Sequence, residues 1–169
     1  MKKIGTLNTH LSRVLAGPWC TQTLADLGAD VIKIEPAPGG DNTRRLTGPA
    51  LGFFPTFNRN KRSLCVDMKR PEGLALVRRL AEGADVLIEN FRPGVAARLG
   101  IDYEMLAARH PRLVYASISG FGQTGPYAQR PGFDLIAQGV SGVMSVTGEP
   151  GGEPVKCGIP ISDLAAGLF

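Results

Sequence analysis

The sequence predicts an α/β fold: a Rossmann-like open sheet, mainly parallel, with helices on both faces. Two observations carry that expectation. Short β-branched segments alternate along the chain with helical patterns, which is how βαβ units read in sequence. Gly and Pro, 22 and 13 of the 169 residues, punctuate the chain at short intervals, and neither a repeat nor a linker separates two domains. In such sheets ligands collect beyond the carboxyl ends of the strands, so chemistry is expected in the loops that follow strands.

In chain order, residues 4–11 (IGTLNTHL) should form the first strand, although the alternation is poor and Asn8 and His10 interrupt it. Residues 17–27 read as a helix with Pro18 in the first turn, where a missing N–H costs nothing. Residues 29–35 (ADVIKIE), 62–67 (RSLCVD), 85–89 (DVLIE) and 113–119 (LVYASIS) have the β-branched character of buried strands. Between them, residues 71–82 (PEGLALVRRLAE) open with Pro71 and Glu72, favourable chemistry for a helical first turn. Asp102 offers an N-cap for a helix over 102–109, and residues 132–146 carry the last long helical pattern. A strand-like segment then turns into an Ala- and Gly-rich helix start over 163–169. The chain stops within that helix, as an N-terminal portion of a longer protein would.

Composition narrows the class. With 43% hydrophobic and 20% charged residues, the chain is neither disordered nor fibrous, and its length suffices for one real core. No run of eighteen apolar residues is present to span a membrane. Met1–Lys3 begins like a signal peptide, but Asn8, His10, Ser12 and Arg13 break the apolar stretch such a peptide needs. Cys20, Cys65 and Cys157 are too scattered for a disulfide framework or a C-x-x-C metal site, so no metal is expected and a cytoplasmic location is. The net charge of +4 is mild, and fits a nucleotide or phosphorylated partner as well as a solvated surface.

Several motifs compete for a functional reading. Gly120, Gly122 and Gly125 match the dinucleotide fingerprint G-x-G-x-x-G, but Pro126, Pro131 and Gly132 keep the following segment from opening a helix. A turn-rich loop beside a ligand is the better interpretation. Residues 58–63 (NRNKRS) form a basic run preceded by Phe53, Phe54 and Phe57, a pattern compatible with single-stranded nucleic acid or with a phosphorylated ligand. His10 and His110 have neither triad nor metal-ligand neighbours and read as structural. Asp163 stands where the apolar segment 158–161 becomes a helix. There it could serve as an N-cap, or as a nucleophile kept ionised by the helix terminus.

Eight blocks in register resemble the class III coenzyme A transferases, the group that also includes the α-methylacyl-CoA racemases. They are VLAGPWC at 14–20, GADVIKIE at 28–35, GDNTR at 40–44, NKRS at 60–63, DMKRPEG at 67–73, ENFRPG at 89–94, SGFGQTGP at 119–126 and SDLAAG at 162–167. The resemblance implies an N-terminal part, residues 1–169, of a large CoA-binding domain, truncated before the second domain and return segment. It implies coenzyme A as substrate rather than as a permanently bound cofactor. The partners it implies are an acyl-CoA and a small carboxylic acid, with neither nucleic acid nor membrane, and an interlocked homodimer for the full-length form.

The resemblance also assigns residues. Asp163 would attack the acyl-CoA thioester and carry the CoA as an aspartyl thioester, its oxyanions met by N–H groups of a helix start or glycine loop. Val14, Leu15 and Ala16 would line the pantetheine channel. Asp67, Met68 and Lys69 would follow the nucleotide end, with Asn90, Phe91, Arg92 and Arg98 along the cofactor and Arg130–Phe133 near the acyl group. The basic run at 58–63 would then belong to the CoA-binding face. Phe133 occupies the place of the racemases' catalytic histidine, and phenylalanine cannot move a proton. Pro36 replaces a basic residue that stacks on adenine in some transferases. The competing readings are a racemase, an inactive CoA-binding fragment and, remotely, a nucleic-acid module.

Overall fold

The computed structural model describes residues 7–169. Five strands, β1 (Leu7–His10), β2 (Asp30–Pro36), β3 (Lys61–Val66), β4 (Val86–Glu89) and β5 (Val114–Ser117), form one all-parallel sheet in the order β3-β2-β1-β4-β5. The helices are α1 (Ala16–Asp26), α2 (Phe53–Phe57), α3 (Pro71–Glu82), α4 (Val95–Leu99), α5 (Tyr103–Ala107), α6 (Asp134–Val140) and α7 (Ile161–Leu168). The chain winds outward from β1 to β3, then returns to the other side of β1 for β4. That reversal puts the topological switch point between β1 and β4, where such folds bind ligands. Residues 4–6 of the expected first strand lie outside the described residues.

The two faces of the sheet differ in kind. Side chains alternate across the pleat, so the register pairing Ile32 with Thr9 and His10 with Lys33 sends them to opposite sides. On one side Ile32, Ile34, Val66 and Leu87 pack with Val77 and Ala81 of α3, Leu106 of α5, and Ile101 and Leu113. Each large aliphatic buried there contributes about 1.5–3 kcal/mol. On the other side Asn8, His10, Lys33 and Glu35 are all buried, none more than 1% exposed. Lys33 Nζ reaches Asp41 Oδ2 at 2.8 Å and donates to Ser12 O at 3.1 Å. His10 Nδ1 lies 3.1 Å from Ser12 Oγ. The poor alternation of the first strand has this cause: β1 is central and covered on both sides, with a polar underside.

Local differences from the sequence expectation have plain reasons. The pattern over 132–146 is not one helix, because Gly142 takes a left-handed φ of +83° and divides α6 from a 3-10 turn at Val143–Val146. Asp102 precedes α5 as expected, yet its side chain makes no cap bond. The five-residue helices α2 and α4 were not anticipated, being too short to show a period. Helix α7 lies against α1, where Gly167 comes so close that an added Cβ would stand 2.6 Å from Ala16 O.

Candidate functional site

A cavity of about 700 Å³ opens at the switch point. Its walls are the loop after β1 (Arg13–Ala16), the loop after β4 (Asn90–Pro93 and Val95), the loop after β5 (Ile118–Phe121), the approach to α6 (Arg130–Phe133) and the first turns of α7. Three strand ends thus converge on it, as the fold predicts.

The loop after β1 is over-determined. Its polar underside fixes Ser12 through Lys33 and His10. From the side, Asn90 Oδ1 accepts from Arg13 N at 3.1 Å and Asn90 Nδ2 donates to Arg13 O at 2.9 Å. Directly after these anchors Val14 sits at φ +70°, a left-handed conformation that strains a β-branched residue. A rigid framework holds it there, and its side chain remains 45% exposed toward the cavity.

The loops after β4 and β5 are tied to each other. Buried Glu89 accepts from Phe91 N at 2.6 Å and from Ser117 Oγ. Gln123 Nε2 donates to Ser117 Oγ at 2.7 Å and to Ser119 Oγ at 3.3 Å. Burial pushes the Glu89 carboxyl up, against the lowering effect of those two donors. Gly120 meets Gly132 backbone to backbone, so closely that a Cβ on Gly132 would lie 2.1 Å from Gly120 Cα. The glycine-rich segment is therefore an irregular wall, with Gly122 and Gly125 at positive φ, and α6 begins only at Asp134.

Asp163 lies in the first turn of α7, half-buried, and lines the cavity. It is the one carboxylate among the described lining residues, which also include Arg13, Arg92 and Arg130. None of those arginines is in an ion pair among the described residues; Arg130 stacks on the Tyr127 ring at 4.0 Å. Unpaired cations around an apolar cavity fit an anionic ligand.

Asp163 is not the N-cap of its helix. Pro160 holds that position, and the capping oxygen comes from α6: Asp134 Oδ1 accepts from Ser162 N at 2.9 Å and from Asp163 N at 3.3 Å. Ile161 N and Leu164 N are bonded to Ile159 O and Pro160 O. The N–H groups at the start of α7 are therefore engaged within the protein, so of the two expected sources of oxyanion donors, a helix start or a glycine loop, this helix start offers none. The Asp163 carboxyl is raised, first by burial and then by the Asp134 charge.

Of the residues assigned by resemblance, Val14, Leu15, Ala16, Asn90, Phe91, Arg92, Arg130, Phe133 and Asp163 share this cavity. Asp67, Met68, Lys69 and Arg98 do not line it. Asp67 Oδ1 accepts from Lys69 N, Met68 packs against the apolar core, and Arg98 lies over Gly94. The basic run at 58–63 lies at the amino end of β3, opposite the cavity, and its charges are spent internally. Arg59 pairs with Asp26 and Arg62 with Asp30, while Lys61 Nζ donates to Pro18 O, Phe57 O and Asn58 Oδ1. Sequence reasoning passed over Arg13, Gln123, Asp134 and Gln138. The i, i+4 spacing of Asp134 and Gln138 on one helix face was the available signal for that pair.

Comparison with known proteins agrees with this fold. The model of CoA-transferase family III matches residues 9–169. Succinate–glutarate CoA-transferase of Agrobacterium fabrum is 52% identical over 95% of this chain and 42% of its own length. Acetyl-CoA:oxalate CoA-transferase of Acetobacter aceti is 49% identical over 98% of this chain and 43% of its own. The crystal structure of a CAIB/BAIF family protein from Brucella suis superimposes with a TM-score of 0.94 at 48% identity, over 99% of this chain and 46% of that one. The chain thus spans less than half the length of these relatives.

Proposed function

This chain belongs to CoA-transferase family III, and from that premise we propose that it provides the nucleophile and one wall of the substrate cavity for CoA transfer between an acyl-CoA and a carboxylic acid, by way of an aspartyl-CoA thioester. The observation that carries the reading is Asp163, a carboxylate that accepts no hydrogen bond among the described residues and lines the switch-point cavity. A carboxylate free of donors keeps its nucleophilicity.

The Asp163 carboxylate adds to the thioester carbonyl, the C–S bond breaks, and CoA thiolate leaves a mixed anhydride. The thiolate then attacks the aspartyl carbonyl, releasing the first carboxylate and forming the aspartyl thioester. An acceptor carboxylate attacks that thioester and expels the thiolate. The thiolate finally takes the acceptor's acyl carbon, which restores Asp163. Two relatives are named for succinate, glutarate and oxalate, all dicarboxylates. A second carboxylate on the substrate would find its partner among Arg13, Arg92 and Arg130.

Racemisation needs a second acid–base group opposite the first. The lining offers Phe133 at the relevant position and no imidazole among its described residues. Transfer is therefore the reading the side chains favour.

Mass spectrometry after incubation with an acyl-CoA tests it. The expected product is an adduct of CoA less one water on the peptide containing Asp163, absent from Asp163→Asn while that variant still binds CoA. An adduct that persists in Asp163→Asn overturns the assignment.

A further inference from the structure

We propose that Asp134 is a positioning residue for Asp163: from α6 it caps α7, takes the N–H groups that a helix start would turn on its own aspartate, and leaves the Asp163 carboxylate without a donor and beside a second carboxylate. The inference rests on Asp163 being the nucleophile, and adds the device that makes it one.

The geometry is specific. Asp134 opens α6, and its Oδ1 spans to α7, 2.9 Å from Ser162 N and 3.3 Å from Asp163 N. Its Oδ2 accepts from Gln138 Nε2 at 2.6 Å. Gln138 is fully buried, and its own Oε1 accepts from Cys157 N at 2.8 Å. Gln138 thus holds Asp134 from below while fastening the strap that leads into α7. An acid at the third position of a helix would ordinarily be close to the first-turn N–H groups and gain from them. Here another acid has taken them. Asp163 keeps its position in the cavity wall but loses the donors that would make its carboxylate a weaker base.

The charges around Asp163 are few. From α6 it faces Asp134. On α1, packed along α7, Ala16 and Trp19 lie against Gly167, and the acid of that helix, Asp26, is engaged by Gln22, Arg59 and Asn60. Arg13, Arg92 and Arg130 share the cavity. Burial first and Asp134 second raise the Asp163 carboxyl. That direction suits the chemistry, since a more basic carboxylate adds more readily to a thioester.

The experiment is a side-chain carboxyl NMR titration of Asp163 in this chain, with Asp134→Asn and Asp134→Ala. Asp134→Asn retains an acceptor for Ser162 N and Asp163 N but removes the charge, so the Asp163 midpoint should fall by roughly half a pH unit or more. The Ala variant removes the acceptor as well, and amide exchange at Ser162 and Asp163 should quicken by about tenfold. An unmoved Asp163 midpoint in a folded Asp134→Asn protein overturns the proposal, as does unchanged exchange in Asp134→Ala. Should the Ala variant fail to fold, the Asp134→Asn titration decides alone. The CoA adduct is scored separately: a midpoint that falls in Asp134→Asn while the wild-type chain forms no adduct keeps the positioning role and refutes the nucleophile.

Discussion

Asn90 grips both sides of one residue, accepting from Arg13 N at 3.1 Å through Oδ1 and donating to Arg13 O at 2.9 Å through Nδ2. The carboxyl end of β4 thereby fixes the loop after β1 next to strained Val14. Only a primary amide offers a donor and an acceptor in this fork.

That fork can be tested by substitution. Asn90→Ala loses both bonds, worth about 1 kcal/mol in this exposed setting, or roughly 2–4 °C in Tm. CoA affinity of the chain, read by calorimetry, should drop more than stability does, because Val14 loses its preset conformation. Asn90→Asp should do no better, since it places a carboxylate against Arg13 O. Affinity unchanged in Asn90→Ala would show that the loop needs no such clamp.

The contact between Gly120 and Gly132 leaves no flexible atom to give way. Gly132→Ala should force the loops apart at a cost of roughly 1–3 kcal/mol. The sheet lies outside the contact, so far-UV circular dichroism should be retained while the cavity wall opens and CoA binding weakens about tenfold. A variant with native affinity and native Tm would contradict the backbone-to-backbone approach.

Stability should fall on acidification in two stretches. His10 is held well below its ordinary value by burial, then by Lys33 and Lys61. Its lowered value means that the unfolded chain takes up the proton first, so stability present above about pH 6.5 begins to decline as pH falls through that point. Glu35 follows. Burial pushes its carboxyl up, but Arg44, Ser63 Oγ and Asp41 N together outweigh that and leave it at about 2. Its contribution is complete above about pH 4.5 and is lost between there and pH 2, on the order of 2 kcal/mol once solvent around the partly exposed Arg44 is allowed for. Urea midpoints across pH 2–7 should show both stretches, and Glu35→Gln should flatten only the lower one. A Glu35→Gln protein with the same acid slope would exclude the network as its source.

The legible part of the fold was that governed by neighbours in sequence. Residues 29–35 and 71–82 carry their periods on their face, and β2 and α3 occupy nearly those spans. The irregularity of the segment after Gly120 followed from Pro126, Pro131 and Gly132. Even the placement of Asp163 in a first helical turn was readable, because the small residues behind it admit little else. Among the residues singled out from the family blocks, Val14–Ala16 and Asn90–Arg92 follow strand ends and line one cavity with Asp163 of α7.

The sequence by itself determined the alternation of strand and helix, the strand-end loops that line the cavity, and the place of Asp163 where a helix begins. Only the tertiary structure decided what that carboxylate faces. Asp134 reaches α7 across 28 residues, Asn90 reaches Arg13 across 77, and the basic run at 58–63 points away from the cavity because it begins β3 rather than ending it. Such pairings are set by register and packing angle, and a side chain's own neighbours hold no record of which distant peptide the sheet will bring within hydrogen-bond range.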